Sequence, residues 1–462
     1  MRGSVEVARV FRDFGSSYRD IFGSCMPRRH HRAMRAIETC RTAELGGHVD
    51  ECDQCGVLRV SYNSCRNRHC PKCQGLKREK WLDARKEELL PVAHVHIVFT
   101  IPQELRPLAL RNQSVVYGIL FKAASETIME LSRDTRHLGA EIGCIAILHT
   151  WSQSLIDHPH LHCIVTGGGL SLDGTQWVAA GKNYFLPVKV LSRLFRGKFL
   201  HYLKEAFDAK DLVFPGRISL LGDQKSFGQF MTDLYGKEWV VYCKEPLRSA
   251  THVIEYLGRY THRVAISNER IVRVGVREVT FRVRDPSTEG ATRLMTLDAF
   301  EFIRRFLLHI LPDRFMKIRY YGLLSNRNRK EKLRRCRELL GVSHSTESSE
   351  SCKESWEETL FRVTGIDLRV CPHCGKGHMV RKDVVPARQG RWPPWKGLSC
   401  SMSMAGYQKI LRVRRMRATF SALYVSCAPS FSACSAATPG KEYVSAPRLS
   451  QDAIQSKTIT IF

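Results

Sequence analysis

The chain has 462 residues, with 72 Lys and Arg against 45 Asp and Glu, a formal charge of +27. Its 43% hydrophobic and 9% aromatic content excludes a wholly disordered or collagen-like chain, and the length provides for about two to four domains. No run of about 18 uncharged apolar residues is present to cross a membrane, and the start MRGSVEVARV lacks the apolar stretch of a secretory signal; a cytoplasmic, nucleoid-associated protein is expected. The positive excess points to a polyanionic partner, since Lys and Arg gain affinity by releasing counterions from phosphates. An enzyme and a passive binder can carry that charge equally well.

In chain order, Met34, Ile37 and Leu45 give residues 29–44 helical spacing, closed by Gly46-Gly47. A segment dense in Cys, His, Asn and Arg runs from His48 to Cys73. Residues 74–90 read as an amphipathic helix with Leu76, Trp81, Leu89 and Leu90 on its buried side, ended by Pro91. From His94 the pattern turns to β-branched runs: HVHIVFTI, GCIAILHT, LHCIVTGGG and WVVYC are predicted strands, and IVRV with VTFRVRD a hairpin. Helical stretches lie between them at 103–133, 189–207, 224–237 and 249–262. A helix over 297–311, stopped by Pro312, and a basic helix from Arg327 follow. Residues 341–360 have the Ser/Glu composition of a linker, and 397–462 show no clear period and read as a disordered or divergent tail.

Seventeen cysteines, several in CxxC pairs, read as metal ligands where thiols stay reduced. Cys52-x-x-Cys55 and Cys70-x-x-Cys73 can each offer two thiolates to a tetrahedral zinc. Cys40, His48, Cys65 and His69 lie close enough in sequence to complete a second site. Both sites would be structural, because a thiolate-filled shell leaves no position for substrate. Cys371-Pro-His-Cys374 resembles half of a further zinc knuckle.

In the strand beginning at His160, the residues His160 and His162 flank Leu161, so both imidazoles share one face and can hold a divalent cation. Gln153 is the candidate third ligand, with Asp157 and His158 behind it. Further on, Tyr256 and Tyr260 are four apart in a predicted helix and so share one helix face. Arg259, His262 and Arg263 surround them, an unusual setting for a dry aromatic core.

A His-hydrophobic-His strand, an earlier strand ending Phe99-Thr100 and a Tyr-x-x-x-Tyr helix together resemble the HUH endonuclease superfamily. The CRNRHCPKCQ run, HPHLHCIVTGGG, EYLGRYTHRVAIS, IRRFLLHILP and YYGLL fall in the order of its two-tyrosine transposases of rolling-circle insertion sequences. The resemblance covers roughly residues 30–380 and implies an α+β fold. An N-terminal helical and zinc-ribbon module (1–91) would precede an HUH domain with an antiparallel sheet and flanking helices (92–285). A basic helical extension (286–340), the linker and a small CxxC module (361–396) would follow.

The resemblance also implies magnesium or manganese at His160, His162 and Gln153, and Tyr256 or Tyr260 as nucleophile forming a 5′-phosphotyrosine on single-stranded DNA. Arg66, Arg68, Arg259, Arg263, Arg319, Arg327 and Arg329 are the candidate DNA contacts, with stacking from Tyr320 and Tyr321. A homo-oligomer and the host replication machinery are the further partners expected. A replication-initiating nickase and a non-catalytic zinc-ribbon binder remain the alternatives.

Overall fold

β-Branched and aromatic side chains favour a pleated, half-buried backbone, and the long runs of them in this chain form one antiparallel sheet. The computed structural model describes residues 5–86, 88–181, 186–243, 252–253, 258, 265–284, 291–342 and 354–387. By their contacts Met1–Arg284 and Thr292–Arg391 form one unit, to which everything below refers; of the second unit only Ala291 is described. Tyr256, Tyr260, Arg259 and Arg263 lie outside the described residues, as do 343–353 of the linker and the tail from 388.

The N-terminal part consists of α1 (Val7–Phe22), α2 (Arg28–Thr39), β1 (Gly47–Cys52), β2 (Leu58–Tyr62) and α3 (Gln74–Lys86). The central sheet uses β3 (His94–Thr100), β4 (Ala140–Trp151), β5 (Asp157–Ser171), β6 (Trp177–Ala179) and β7 (Val241–Cys243). Helices α4 (Arg106–Arg111), α5 (Gln113–Arg133), α6 (Val188–Asp208) and α7 (Gln224–Tyr235) lie between these strands in sequence. A second small sheet follows, β8 (Ile271–Val274), β9 (Glu278–Arg284) and β10 (Thr292–Asp298), then α8 (Ala299–Leu308), β11 (Ile318–Gly322), α9 (Arg329–Leu339), α10 (Trp356–Thr364) and β12 (Met379–Val385).

The central sheet has the order β11-β4-β5-β3-β7, with β6 on β5, and every pairing is antiparallel. Because side chains alternate, its two faces differ. One carries Val95, Ile97, Phe99, Ala146, Leu148, Leu161, Cys163 and Val165, buried against α5 and α6. Residues one place along, Ile145, Ile147 and Ile164, belong to the other face and pack with Leu82 of α3, Leu333 and Cys336 of α9, and Val253. The three glycines that end the LHCIVTGGG run lie where neighbouring chain crowds β5. A Cβ on Gly169 would sit 2.3 Å from the Glu141 carbonyl oxygen.

The predicted helix over 103–133 is two helices. The Asn112 side chain donates to the carbonyls of Leu108 and Val213 and accepts from the Val213 amide at 2.8 Å, so it ties the break between α4 and α5 to a distant loop. The predicted hairpin gains a third strand, β10. It joins α1, α2 and α8 in a separate core that includes Phe11, Met34, Ile37, Phe281, Phe302 and Phe306. Cys371 and Cys374 do not belong to a separate module: β12 pairs with β1, giving a third sheet of order β12-β1-β2.

Candidate functional site

Three groups of side chains with the spacing to hold a metal ion form among the described residues. Cys40 follows α2, Cys65 and Cys70 lie in the loop after β2, and Cys73 stands at the start of α3. These four sulfurs cluster, with Cys40–Cys73 and Cys65–Cys73 each at 3.5 Å. Four ligands at the ~2.3 Å Zn–S distance stand close to 3.8 Å apart at the corners of a tetrahedron, so the cluster has the spacing zinc requires. Hydrogen bonds led by the one from Cys65 bring the Cys40 thiol down to about 7. Those from Cys40, Cys65 and Cys70 hold Cys73 far below the thiol range. The same contacts push the thiols of Cys65 and Cys70 up, so only Cys40 and Cys73 are held toward the thiolate.

The expected pairing of Cys52 and Cys55 with Cys70 and Cys73 is therefore corrected. Each CxxC belongs to a different cluster, and Cys52 and Cys55 meet Cys371 and Cys374 instead. A CxxC has no preference for a partner encoded in its own spacing; the β1–β12 pairing decides it. His48 and His69 belong to neither cluster. His48 Nε2 is 3.4 Å from Asp50, and the buried His69 accepts the Leu311 amide at 3.3 Å.

The third group is His149, His160 and His162, whose ligand atoms lie within 4.8 Å of one another. The register places His149 of β4 directly opposite His160 of β5, while His160 and His162 share a face by alternation. All three are buried. His160 Nδ1 donates to the His158 carbonyl at 2.6 Å, which leaves Nε2 as a bare acceptor. Burial pushes its pKa down to about 3, so the ring stays neutral at physiological pH. His160 Nε2 and His162 Nε2 are 3.0 Å apart, the separation of two nitrogen ligands at right angles around a cation about 2.1 Å away. On the far side, His162 Nδ1 meets His96 Nε2 at 2.9 Å, with the two rings stacked at 10°.

Gln153, expected as the third ligand, stands in the turn joining β4 and β5, where its carbonyl accepts from Arg270. Asp157 is buried without a hydrogen-bond partner, its pKa raised to about 7 by desolvation. His158 accepts from Arg106 at 3.0 Å. The histidine that completes the cluster, His149, sat in a predicted strand, but only the cross-strand register brings it to His160. The β4–β5 turn is itself fastened: His309 bonds Thr150 Oγ1 at 3.1 Å and the Leu155 carbonyl at 3.2 Å, and Arg305 donates to the Ser154 carbonyl.

The candidate DNA contacts divide. Arg66 and Arg327 are exposed. Arg68 instead donates to the carbonyls of Phe315 and Pro312 at 2.7 and 3.0 Å, so it fastens the cysteine loop to the chain after α8. Arg319 lies 4.2 Å over the Phe121 ring, and Arg329 pairs with Glu88 at 3.2 Å. The Tyr320 hydroxyl is occupied, accepting from Trp81 at 2.9 Å and Arg85 at 2.6 Å.

A family model described as "Putative transposase" matches residues 143–332, which span β4, β5 and the second small sheet. One described as "Transposase zinc-binding domain" matches residues 10–101, which include the whole first cysteine cluster. The chain is 48% identical over 393 residues to "Putative transposase y4qJ" of Sinorhizobium fredii (strain NBRC 101917 / NGR234), covering 85% of this chain and 98% of that protein. It is 27% identical over 291 residues to "Transposase for insertion sequence element IS801" of Pseudomonas savastanoi pv. phaseolicola, covering 62% of this chain and 68% of that protein. No solved structure matches. The buried histidine cluster and the cysteine-rich N-terminal module are thus features of a chain that belongs to the IS91/IS801 family of insertion-sequence transposases and carries its N-terminal zinc-binding domain.

Proposed function

We propose that the protein cleaves and rejoins single-stranded DNA through 5′-phosphotyrosine intermediates, with Tyr256 and Tyr260 as the nucleophiles. The observation that carries this reading is the cluster of His149, His160 and His162, three buried imidazoles facing a common point on a sheet. These three would hold a divalent cation, which when bound supplies Lewis-acid polarisation of a non-bridging phosphate oxygen. Nitrogen donors suit manganese better than magnesium, which prefers an all-oxygen shell.

The tyrosines lie outside the described residues, but their neighbours support the assignment. Val253 is fully buried in the cluster that contains Ile145, Ile147 and Ile164 of the histidine face, and a Cβ on Gly258 would meet Leu82 at 3.1 Å in that same cluster. Val253 and Gly258, which precede and follow Tyr256 in sequence, thus pack beside the face that carries the imidazoles. Attack of a phenolic oxygen on phosphorus forms the P–O bond to tyrosine and breaks the P–O3′ bond, and the 3′-hydroxyl leaves with a proton. A later 3′-hydroxyl attacks the phosphotyrosine and returns the phenol, so joining needs no nucleotide cofactor. Two tyrosines allow one strand end to be held while a second strand is cut. Exposed Arg66 and Arg327 offer phosphate contacts in a chain of net charge +27.

Cleavage of a single-stranded oligonucleotide from the element's end should require manganese. His149→Ala should lower it by about 100-fold or more, as loss of a group stabilising developing charge does. Retention of full activity in His149→Ala would remove His149 from the ligand set. The same chemistry would serve a replication-initiating nickase; similarity to insertion-sequence transposases favours transposition.

A further inference from the structure

The second cysteine cluster draws on two segments more than 300 residues apart, Cys52 and Cys55 from the end of β1 and Cys371 and Cys374 from the turn before β12. Both family matches, to residues 10–101 and 143–332, stop short of Cys371, so neither accounts for half of this cluster. We propose that these four residues form a structural zinc site, a ribbon split between distant parts of the chain, which fastens the C-terminal hairpin onto the N-terminal zinc-binding domain. The proposal is independent of the tyrosine mechanism.

Four observations carry it. First, the sulfurs have zinc spacing: Cys52 to Cys374 and Cys55 to Cys371 are both 3.7 Å. Second, the two segments share the CxxCG pattern and the same turn. Cys52-Asp-Gln-Cys55-Gly56 and Cys371-Pro-His-Cys374-Gly375 each end on a glycine with φ near 70°, a conformation that disfavours a side chain. In each, the glycine amide donates to the first cysteine's carbonyl, Gly56 to Cys52 at 3.0 Å and Gly375 to Cys371 at 2.9 Å. Third, backbone amides point at the sulfurs, Cys55 N–H at Cys52 Sγ and Gly377 N–H at Cys374 Sγ. The Cys55 amide lies 3.5 Å from Cys52 Sγ and the Gly377 amide 3.3 Å from Cys374 Sγ.

Fourth, the two knuckles interlock. Asp53 N–H donates to the His378 carbonyl, and His378 N–H donates to Asp53 Oδ1 at 2.7 Å. A Cβ on Gly377 would lie 2.4 Å from Cys52 Sγ, so the closeness of the two segments requires glycine there. From this junction β12 pairs along β1 from Cys52–Met379 to Gly47–Val385, with one shift of register between Val49 and Asp50. Four thiolates leave no open position, so the ion serves structure alone, as in zinc ribbons.

The full chain, purified through EDTA to remove loosely held ions, should contain two zinc per polypeptide. A Cys371→Ser/Cys374→Ser double variant should contain one, and Gly377→Val should likewise lose the second. On the unsubstituted chain, iodoacetamide should leave Cys52, Cys55, Cys371 and Cys374 unlabelled while modifying the exposed Cys25, and should label all four once a strong chelator has stripped the zinc. This footprint decides the matter even where the double variant does not fold. Labelling of Cys371 and Cys374 as fast as Cys25 before stripping would overturn the proposal, as would two zinc in the folded double variant.

Discussion

At the scale of single residues, the histidine face is ordered by its hydrogen bonds. His160 is fixed by the His158 carbonyl, and His162 stands between His160 and His96. A ligand whose second nitrogen is held keeps its tautomer and orientation, and loss of such an outer partner usually weakens metal binding by about 10–100-fold. His96→Leu should therefore weaken manganese binding by that order, read by EPR titration of free Mn2+, while His96→Gln, which can still bond Nδ1, should recover part of it. Equal loss in both variants would mean that His96 acts only by packing. The arginines separate in the same way. Arg68→Ala removes the donor to the Phe315 carbonyl, while the Pro312 carbonyl keeps the Phe315 amide, and should destabilise the fold by about 1–3 kcal/mol. Arg66→Ala should leave the melting temperature unchanged and weaken single-stranded DNA binding.

At the scale of elements, the β4–β5 turn is where the site meets the rest of the molecule. His309 spans Thr150 and Leu155, and burial holds its pKa down to about 4. In the unfolded chain a histidine titrates near ~6.5, so below that pH the unfolded state takes up a proton that the folded state refuses. The stability linked to His309 is thus complete above pH ~6.5 and is lost as pH falls toward 4. His309→Gln should narrow the difference in melting temperature between pH 7.5 and pH 5; an unchanged difference would show that His309 does not titrate on unfolding.

The sequence made much of this level readable. The runs at 94–101, 143–150 and 161–169 are strands, and the His-x-His alternation placed two imidazoles on one face. His149 escaped because nothing local in GCIAILHT tells which residue it opposes; cross-strand register is a property of two segments. The break at Asn112 escaped for the same reason, since its partner is Val213. Tyr256 and Tyr260 lie outside the described residues, so their shared helix face rests on sequence spacing and their role on the chemistry proposed above.

At the scale of the whole molecule, the strongest departure from the sequence reading is the partner choice of the cysteines. Spacing suggested that neighbouring CxxC pairs share a metal, yet Cys52 and Cys55 reach Cys371 and Cys374 while Cys70 and Cys73 join Cys40 and Cys65. The signal that could have found this was the repeated CxxCG, since Gly56 follows Cys55 as Gly375 follows Cys374, whereas Gln74 follows Cys73. The histidine face thus belongs to a chain whose N-terminal domain is completed from beyond residue 370. No helix among the described residues is long and apolar enough to cross a membrane.

The central claim is that a tyrosine of the 256–260 stretch becomes covalently joined to DNA beside the histidine cluster. The most direct measurement incubates the full chain with a 5′-labelled and a 3′-labelled single-stranded oligonucleotide from the element's end, in manganese, and maps any SDS-resistant adduct by mass spectrometry after proteolysis. The account predicts a manganese-dependent adduct to the 3′-labelled fragment only, on a peptide containing Tyr256 or Tyr260, and none in the Tyr256→Phe/Tyr260→Phe variant. An adduct on another residue, or one that persists in that double variant, would contradict it.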